Sequence, residues 1–210
     1  NINKVDRLFG NVIVGYNIFE WLKIEDRLAT DMYSDRRYQS VPKFNSVAND
    51  PLYDGLPHIV NGRYAEDIYN VNNLFNDLMA TFNKNVAKDV NLNVILGLNY
   101  TQRRYANTYA STNEEGGLVV PGYYNLSNSN GVALTNNRTE LSRKTGLYTD
   151  IGASYKNYLF AGFMGRIDRS STIDKAYPYF GVNASFVVSE FFNPKMQDIW
   201  NYSKLRISYG

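Results

Sequence analysis

The chain has 210 residues, with 22 Lys and Arg against 20 Asp and Glu, one His and no Cys. The lack of cysteine excludes a disulfide framework, a thiolate metal site and a cysteine nucleophile, and one histidine cannot build a histidine metal cluster. A net charge of +2 gives no electrostatic reason for a nucleic-acid partner, and 18 Tyr with 11 Phe is a heavy aromatic load for a cytosolic enzyme.

In chain order, apolar residues recur with a period near two, the signature of half-buried strands. A first strand is expected over 7–18, with Val12, Val14, Tyr16 and Ile18 on its apolar face. A second follows over 22–36, where Leu22, Ile24, Leu28 and Met32 share a face that Asp26 interrupts, as a bulge would. The third, over 71–82, has the least distinct phase. The fourth, 90–105, is the clearest: Val90, Leu92, Val94, Leu96, Leu98 and Tyr100 alternate with Asn91, Asn93, Ile95, Gly97 and Asn99. A helix would need apolar residues three and four apart, which these asparagines break. Strands over 139–155, 158–169 and 179–189 follow, and Lys204 begins another, with Leu205, Ile207 and Tyr209 on one face.

The connections alternate in length. Short ones are expected at 19–21, 83–89 and 156–157, and long ones, rich in Asn, Gly, Pro, Ser and Tyr, at about 37–70 and 106–138. The connection before Tyr179 is of intermediate length, and 193–202 reads as a helical turn. Loops of some thirty residues are unusual inside compact soluble domains. Tyr16, Phe19, Trp21, Phe82, Tyr155, Tyr158, Phe191, Phe192 and Trp200 all gather at the short-connection end. Amphipathic rings at one end of a set of strands suit a bilayer interface.

No run of about eighteen apolar residues encodes a membrane helix. A meander of long strands with one apolar face, long loops at one end and an aromatic belt at the other instead reads as a transmembrane up-and-down antiparallel β-barrel. That is the way strands satisfy their backbone groups in lipid. Leu159, Ala161, Phe163 and Ile167 would then face lipid, and Arg166 and Asp168 the lumen. No leader opens the sequence and it stops within a strand, so residues 1–210 are expected to be about eight strands of one larger barrel domain.

Three stretches carry a family resemblance: "YKNYLFAGFMGRIDRSST", "YPYFGVNASFVVSEFF" and "SKLRISYG". They present Arg166, Asp168, Ser170 and Ser171, then Ser189, Glu190 and Phe191, then Leu205, Arg206, Ser208, Tyr209 and Gly210 in order. In this the sequence resembles the C-terminal half of SusC/RagA-type TonB-linked outer-membrane transporters, and "LNVILGLNYTQRR" and "GLYTDIGASYKNYLF" are similar to strands of that family. Arg169 departs from it, standing where the family usually has Gly. The resemblance implies a barrel of about 22 strands in the bacterial outer membrane. It also implies an N-terminal plug and a TonB box outside these residues, coupling to TonB, a SusD-like surface lipoprotein as lid, and import of oligosaccharides or oligopeptides. It implies no catalytic residue, metal or cofactor.

Tyr105, Tyr109, Tyr123 and Tyr124 are the candidate substrate-binding residues, read either as rings that stack on sugar or clasp peptide, or as packing for the loops or a lid. Arg166 and Asp168, two apart on one strand, share a face. They read either as a lumen pair touching plug or substrate, or as an ion-pair network that holds the wall. Arg103, Arg104 and Lys144 would offer positive charge to lipopolysaccharide phosphates or form a plain solvated rim. Glu66 and Asp67 read as loop solvation, 113–118 as a flexible loop tip, 49–55 as a turn and His58 as a solvated loop residue. The Asn-x-Ser/Thr sites at Asn125, Asn137, Asn183 and Asn201 are incidental in a bacterial barrel. Two rival readings stand: a soluble all-β carbohydrate-binding module, and a passive porin-type channel. Soluble strands would average about five or six residues, which argues against the first.

Overall fold

A computed structural model describes residues 1–45, 59–192, 196 and 199–210, so His58 and the 49–55 turn lie outside the described residues. Eight strands follow one another: β1 Ile2–Phe19, β2 Leu22–Asn45, β3 Ile59–Ala87, β4 Val90–Ser111, β5 Leu134–Tyr155, β6 Leu159–Ser170, β7 Ile173–Val187 and β8 Lys204–Tyr209. They form one sheet in the order β1-β2-β3-β4-β5-β6-β7-β8, each strand bonded to its neighbours in sequence. This is the expected up-and-down meander. None of the described helices is long and apolar enough to cross a membrane, which says nothing of strands.

Turn chemistry explains the tight ends. Lys156 and Asn157 have φ of 47° and 62°, the pair of left-handed residues that a two-residue primed turn requires, and the Tyr158 N–H donates to the Tyr155 carbonyl at 3.2 Å. Asp89 adopts φ 63° in the turn between β3 and β4, which is shorter than the expected 83–89. At the other end of β6, Ser171 caps the turn into β7 from both sides. Its N–H donates to the Arg143 carbonyl at 2.8 Å, and its hydroxyl accepts from the Arg143 N–H at 3.0 Å. Arg169 pairs with Thr145 inside the ladder and needs no glycine-like backbone.

The strands outrun the sequence expectation. β2 and β3 contain 24 and 29 residues, so 37–45 and 59–70 are strand rather than loop, as are 106–111 and 134–138. A tilted strand crosses a bilayer in about 9–11 residues. In these stretches the apolar alternation that marks a strand fades, and Asn and Tyr replace it. β7 starts at Ile173 rather than Tyr179, and the intervening Pro178, opposite Ile167, brings no N–H to the ladder.

The chain divides into two compact units. Unit 1 comprises Asn1–Phe9, Asp31–Asn73 and Arg103–Leu141, and unit 2 comprises Gly10–Thr30, Leu74–Gln102 and Ser142–Gly210. In unit 2 the register sorts the faces. Leu147 pairs with Ile167, Ile151 with Phe163 and Ala153 with Ala161 across β5 and β6. Phe163 pairs with Val182 and Ala161 with Ala184 across β6 and β7. Ile207 then pairs with Ala184, and Leu205 with Phe186. Four consecutive strands thus carry one apolar face, broken by Thr149 opposite Gly165, and most of its side chains are exposed. The opposite face carries Tyr148, Asp150, Arg166, Asp168, Tyr177, Tyr179, Asn183 and Arg206. Among the described residues the only buried apolar side chains are Ala65, Val71, Leu118 and Val187.

Candidate functional site

On the polar face of unit 2, side chains from four strands form a cross-strand ladder. Arg166 on β6 donates from Nε to Asp168 Oδ1 at 2.7 Å, and the Tyr179 hydroxyl on β7 donates to Asp168 Oδ2 at 2.8 Å. The Arg166 guanidinium lies over the Tyr148 ring of β5, 5.6 Å from its centroid. Tyr148 reaches past β4 altogether, and its hydroxyl bonds the two Asp77 carboxylate oxygens on β3 at 3.0 and 3.2 Å. Two glycines make this possible. A Cβ on Gly97 would overlap the Tyr148 ring, and one on Gly146 would stand 2.5 Å from Arg166 Nη2. A hollow of about 490 Å³ opens beside the ladder, lined on this face by Met79, Ile95, Asp150 and Met164. The Arg166–Asp168 contact is one rung of a longer network. Sequence reading passed over Asp77, Tyr148 and Tyr179; the available signal was a glycine inside each of two otherwise bulky strands, which marks a close approach.

Unit 1 has a second ladder on β2–β4. Arg37 bonds Asp35 Oδ2 through Nη2 at 2.7 Å and lies over the Tyr69 ring at 4.8 Å. Tyr69 donates to Asp67 Oδ2 at 2.5 Å, Asn107 donates to Asp67 Oδ1 at 2.6 Å, and the Tyr69 and Tyr105 rings meet at 6.3 Å. Asp67 is thus a structural acceptor, not loop solvation. Glu66 is likewise engaged, accepting from the Tyr64 hydroxyl at 2.9 Å. Burial pushes the Tyr64 phenol up to about 12, and its bond to the Glu66 carboxylate adds to the shift. The bond to Asp67 similarly raises Tyr69.

The four sequence-predicted tyrosines separate into two environments. Tyr105 and Tyr109 are strand residues of β4, Tyr105 against Tyr69 and Tyr109 accepting a hydrogen bond from Arg63. Tyr123 and Tyr124 belong to the connection between β4 and β5, and both are exposed. A hollow of unit 1, about 790 Å³ with Arg7, Met32, Asn70 and Arg104 on its walls, is lined by none of the four. Arg103, Arg104 and Lys144 are exposed.

The β4–β5 connection is a built structure rather than a flexible tip. Its segment 112–118 docks on β3: the Thr112 N–H donates to the Tyr64 carbonyl and the Leu118 N–H to the Asn61 carbonyl, both at 2.9 Å. Leu118 is 0% exposed and sits over Gly62, where a Cβ would stand 2.9 Å from the leucine and the φ of +77° already favours glycine. Asn113 Oδ1 accepts the N–H groups of Glu115 and Gly116 at 3.0 and 2.7 Å. A 3-10 turn at Leu126–Asn128 is capped by the Asn125 side chain. The loop-like composition had concealed an asparagine-tied fold.

Aromatics cluster in unit 2 beside the tight turns. Trp21 stacks on Phe19 at 4.9 Å and meets Phe82 edge-on at 5.2 Å. Tyr158 packs edge-on against Tyr155, Phe186 and Phe191 at 5.5, 5.8 and 5.0 Å. The turn expected over 193–202 appears in its described part, where the Trp200 N–H donates to the Met196 carbonyl at 2.7 Å and Phe192 faces Trp200 at 6.1 Å.

No protein-family model and no curated protein matches the sequence. Solved structures do match in fold. The RagAB peptide transporter superposes with a TM-score of 0.73 at 16% identity, over 90% of this chain and 20% of that one. The RagAB peptide importer in its closed-closed state gives 0.76 at 15% identity, over 98% of this chain and 22% of the other. Its open-open state gives 0.70 at 16% identity, over 99% and 22%. The chain therefore spans about a fifth of the length of the proteins it resembles. Its fold is that of a run of neighbouring antiparallel strands from a β-barrel.

Proposed function

We propose that this chain is part of the wall of a bacterial outer-membrane barrel that imports oligomeric nutrients, oligosaccharides or oligopeptides, with energy from TonB. In this reading it works with a SusD-like surface lipoprotein, and it does no bond-making chemistry. The observation that carries the reading is the largely apolar face of β5–β8, with most of its side chains exposed, while the opposite face holds the Asp77–Tyr148–Arg166–Asp168–Tyr179 ladder. A soluble sandwich would bury such a face; here it meets lipid, and the aromatic clusters at the tight turns sit at headgroup level. The long ends of β2, β3 and β4 then stand clear of the bilayer and carry the loops toward substrate.

Within this reading the unit 2 ladder braces the wall and keeps Arg166 facing the lumen. Tyr105 and Tyr69, the latter under Arg37 and bonded to Asp67, which also accepts from Asn107, offer flat rings edged by donors and acceptors, the equipment for holding a polar oligomer. The test is uptake of labelled oligosaccharides and oligopeptides by the source bacterium, with the gene deleted and then restored. Import of at least one class falls on deletion, returns with the intact gene, and does not return when TonB is inactivated. Uptake that survives loss of TonB points instead to a passive channel, and uptake unaffected by deletion removes the importer reading.

A further inference from the structure

Within unit 2, the apolar face of β5 and β6 ends in two arginines. Its last apolar pair is Leu147 opposite Ile167, and the next pair outward is Thr145 opposite Arg169. One step further, the backbone and hydroxyl of Ser171 bond the Arg143 backbone. Strand alternation keeps Arg143 and Arg169 on the face of Leu147 and Ile167. They are diagonal neighbours, about 7–8 Å apart at the backbone, so two long side chains can close on one ligand. Gln102 on β4 completes the group. Its Oε1 accepts from the Tyr100 hydroxyl at 3.0 Å and from Arg143 Nε at 3.1 Å, which holds the Arg143 guanidinium by one edge. Both arginines are exposed, and among the described residues neither forms an ion pair with a carboxylate. Lys144, one of the cations singled out in the sequence, alternates onto the opposite face with Gly146 and Tyr148.

We propose that Arg143 and Arg169, with Gln102 and Tyr100 beside them, bind the phosphate headgroup of an anionic lipid in the outer leaflet. The inference rests on the reading above, in which this face meets lipid. Arg169 stands ten residues beyond Leu159 at the tight turn, and a tilted strand crosses the hydrocarbon in about 9–11 residues. The arginines therefore lie at the interface opposite the turn aromatics, at headgroup level. Guanidinium forks match phosphate oxygens in pairs, and holding one of them through Gln102 reduces the freedom lost on binding. The ligand that fits is an amphiphile. Its anionic head meets two positive charges without countercharge, and its chains run down over Leu147 and Ile167. A soluble anion would make only the first of these contacts.

The experiment is native mass spectrometry of the full-length protein in detergent, with diphosphorylated lipid A as the probe and the Kd of the first bound lipid as the readout. The double variant Arg143→Gln, Arg169→Gln is expected to raise that Kd about tenfold or more. Lys144→Gln, on the other face, should leave it unchanged. A second comparison needs no variant: the same lipid with both phosphates removed should bind the unaltered protein about tenfold or more weakly. An unchanged Kd in the double variant, or an equal loss with Lys144→Gln, would overturn the site. So would equal binding of the dephosphorylated lipid. Inorganic phosphate that displaces the lipid at the lipid's own concentration would also overturn it, by showing a site for a free anion. Gene deletion separates the two readings. If deletion abolishes uptake but lipid binding ignores the phosphates, the importer stands and the lipid site falls. If binding depends on the phosphates and on both arginines while deletion leaves uptake intact, the lipid site stands and the importer reading fails.

Discussion

At the scale of single residues, the polar face depends on positions where a side chain is missing. Gly97 is the sharpest case, because the Tyr148 ring crosses its Cα on the way to Asp77. Gly97→Ala is expected to destabilise the folded barrel by about 1–3 kcal/mol, the range for overpacking, read as a lowered urea midpoint of the full-length protein. Adding Tyr148→Ala to Gly97→Ala should cost less than the two single losses combined, since the ring that clashes is gone. Strict additivity would show that the ring and the glycine are not coupled. Tyr64, near the start of β3, offers a pH signature. Its folded phenol titrates at about 12, above the ordinary value of 10.0. Its contribution is therefore intact below pH 10.0 and lost as the pH climbs from there through about 12. Tyr64→Phe should remove one late-titrating phenol from the 295 nm absorbance curve and flatten that loss of stability. An unchanged curve would mean that the phenol is not shielded.

At the scale of elements, tight turns and strand phase were legible in the sequence. Lys156-Asn157 announced a two-residue turn, and the period of two in β4, β5, β6 and β8 assigned each side chain to its face. The ends of β2, β3 and β4 were not legible, because Asn, Tyr and charged residues stand on both of their faces and leave no apolar alternation to read. Nor was the β4–β5 connection, where Asn113, Asn125 and Asn128 act as turn acceptors and caps whose partners are distant in sequence or lie in the backbone. Leu118 is the test of that element. Leu118→Ala removes the anchor over Gly62 and should cost about 2–5 kcal/mol locally, as core leucines do. The readout is hydrogen exchange, with amides over 112–130 losing protection while β6 keeps its own. Equal loss in both regions would show that the connection is not a separately anchored piece. The four candidate tyrosines illustrate the limit of sequence reading for a site. All four were legible as aromatics near loops, yet their division into a polar strand pair and an apolar tip depends on neighbours such as Tyr69, Arg63 and Asn128 that only the fold assembles.

At the scale of the whole molecule, the all-β meander and its two-faced character follow from the sequence, and the neighbouring fold of transporter barrels agrees with them. The central claim is that β5–β8 present one face to lipid and the other to an aqueous lumen. The absence of cysteine from the chain makes a direct measurement possible. Single cysteines would be placed one at a time from Phe160 to Asp168 in the full-length protein, spin-labelled in native outer membranes, and examined for collision with oxygen and with a water-soluble nickel complex. Labels at Ala161, Phe163 and Ile167 should favour oxygen, and labels at Gly162, Arg166 and Asp168 should favour nickel, alternating residue by residue. Equal nickel access on both faces, or no alternation, would contradict the membrane wall and return the chain to the soluble β proteins.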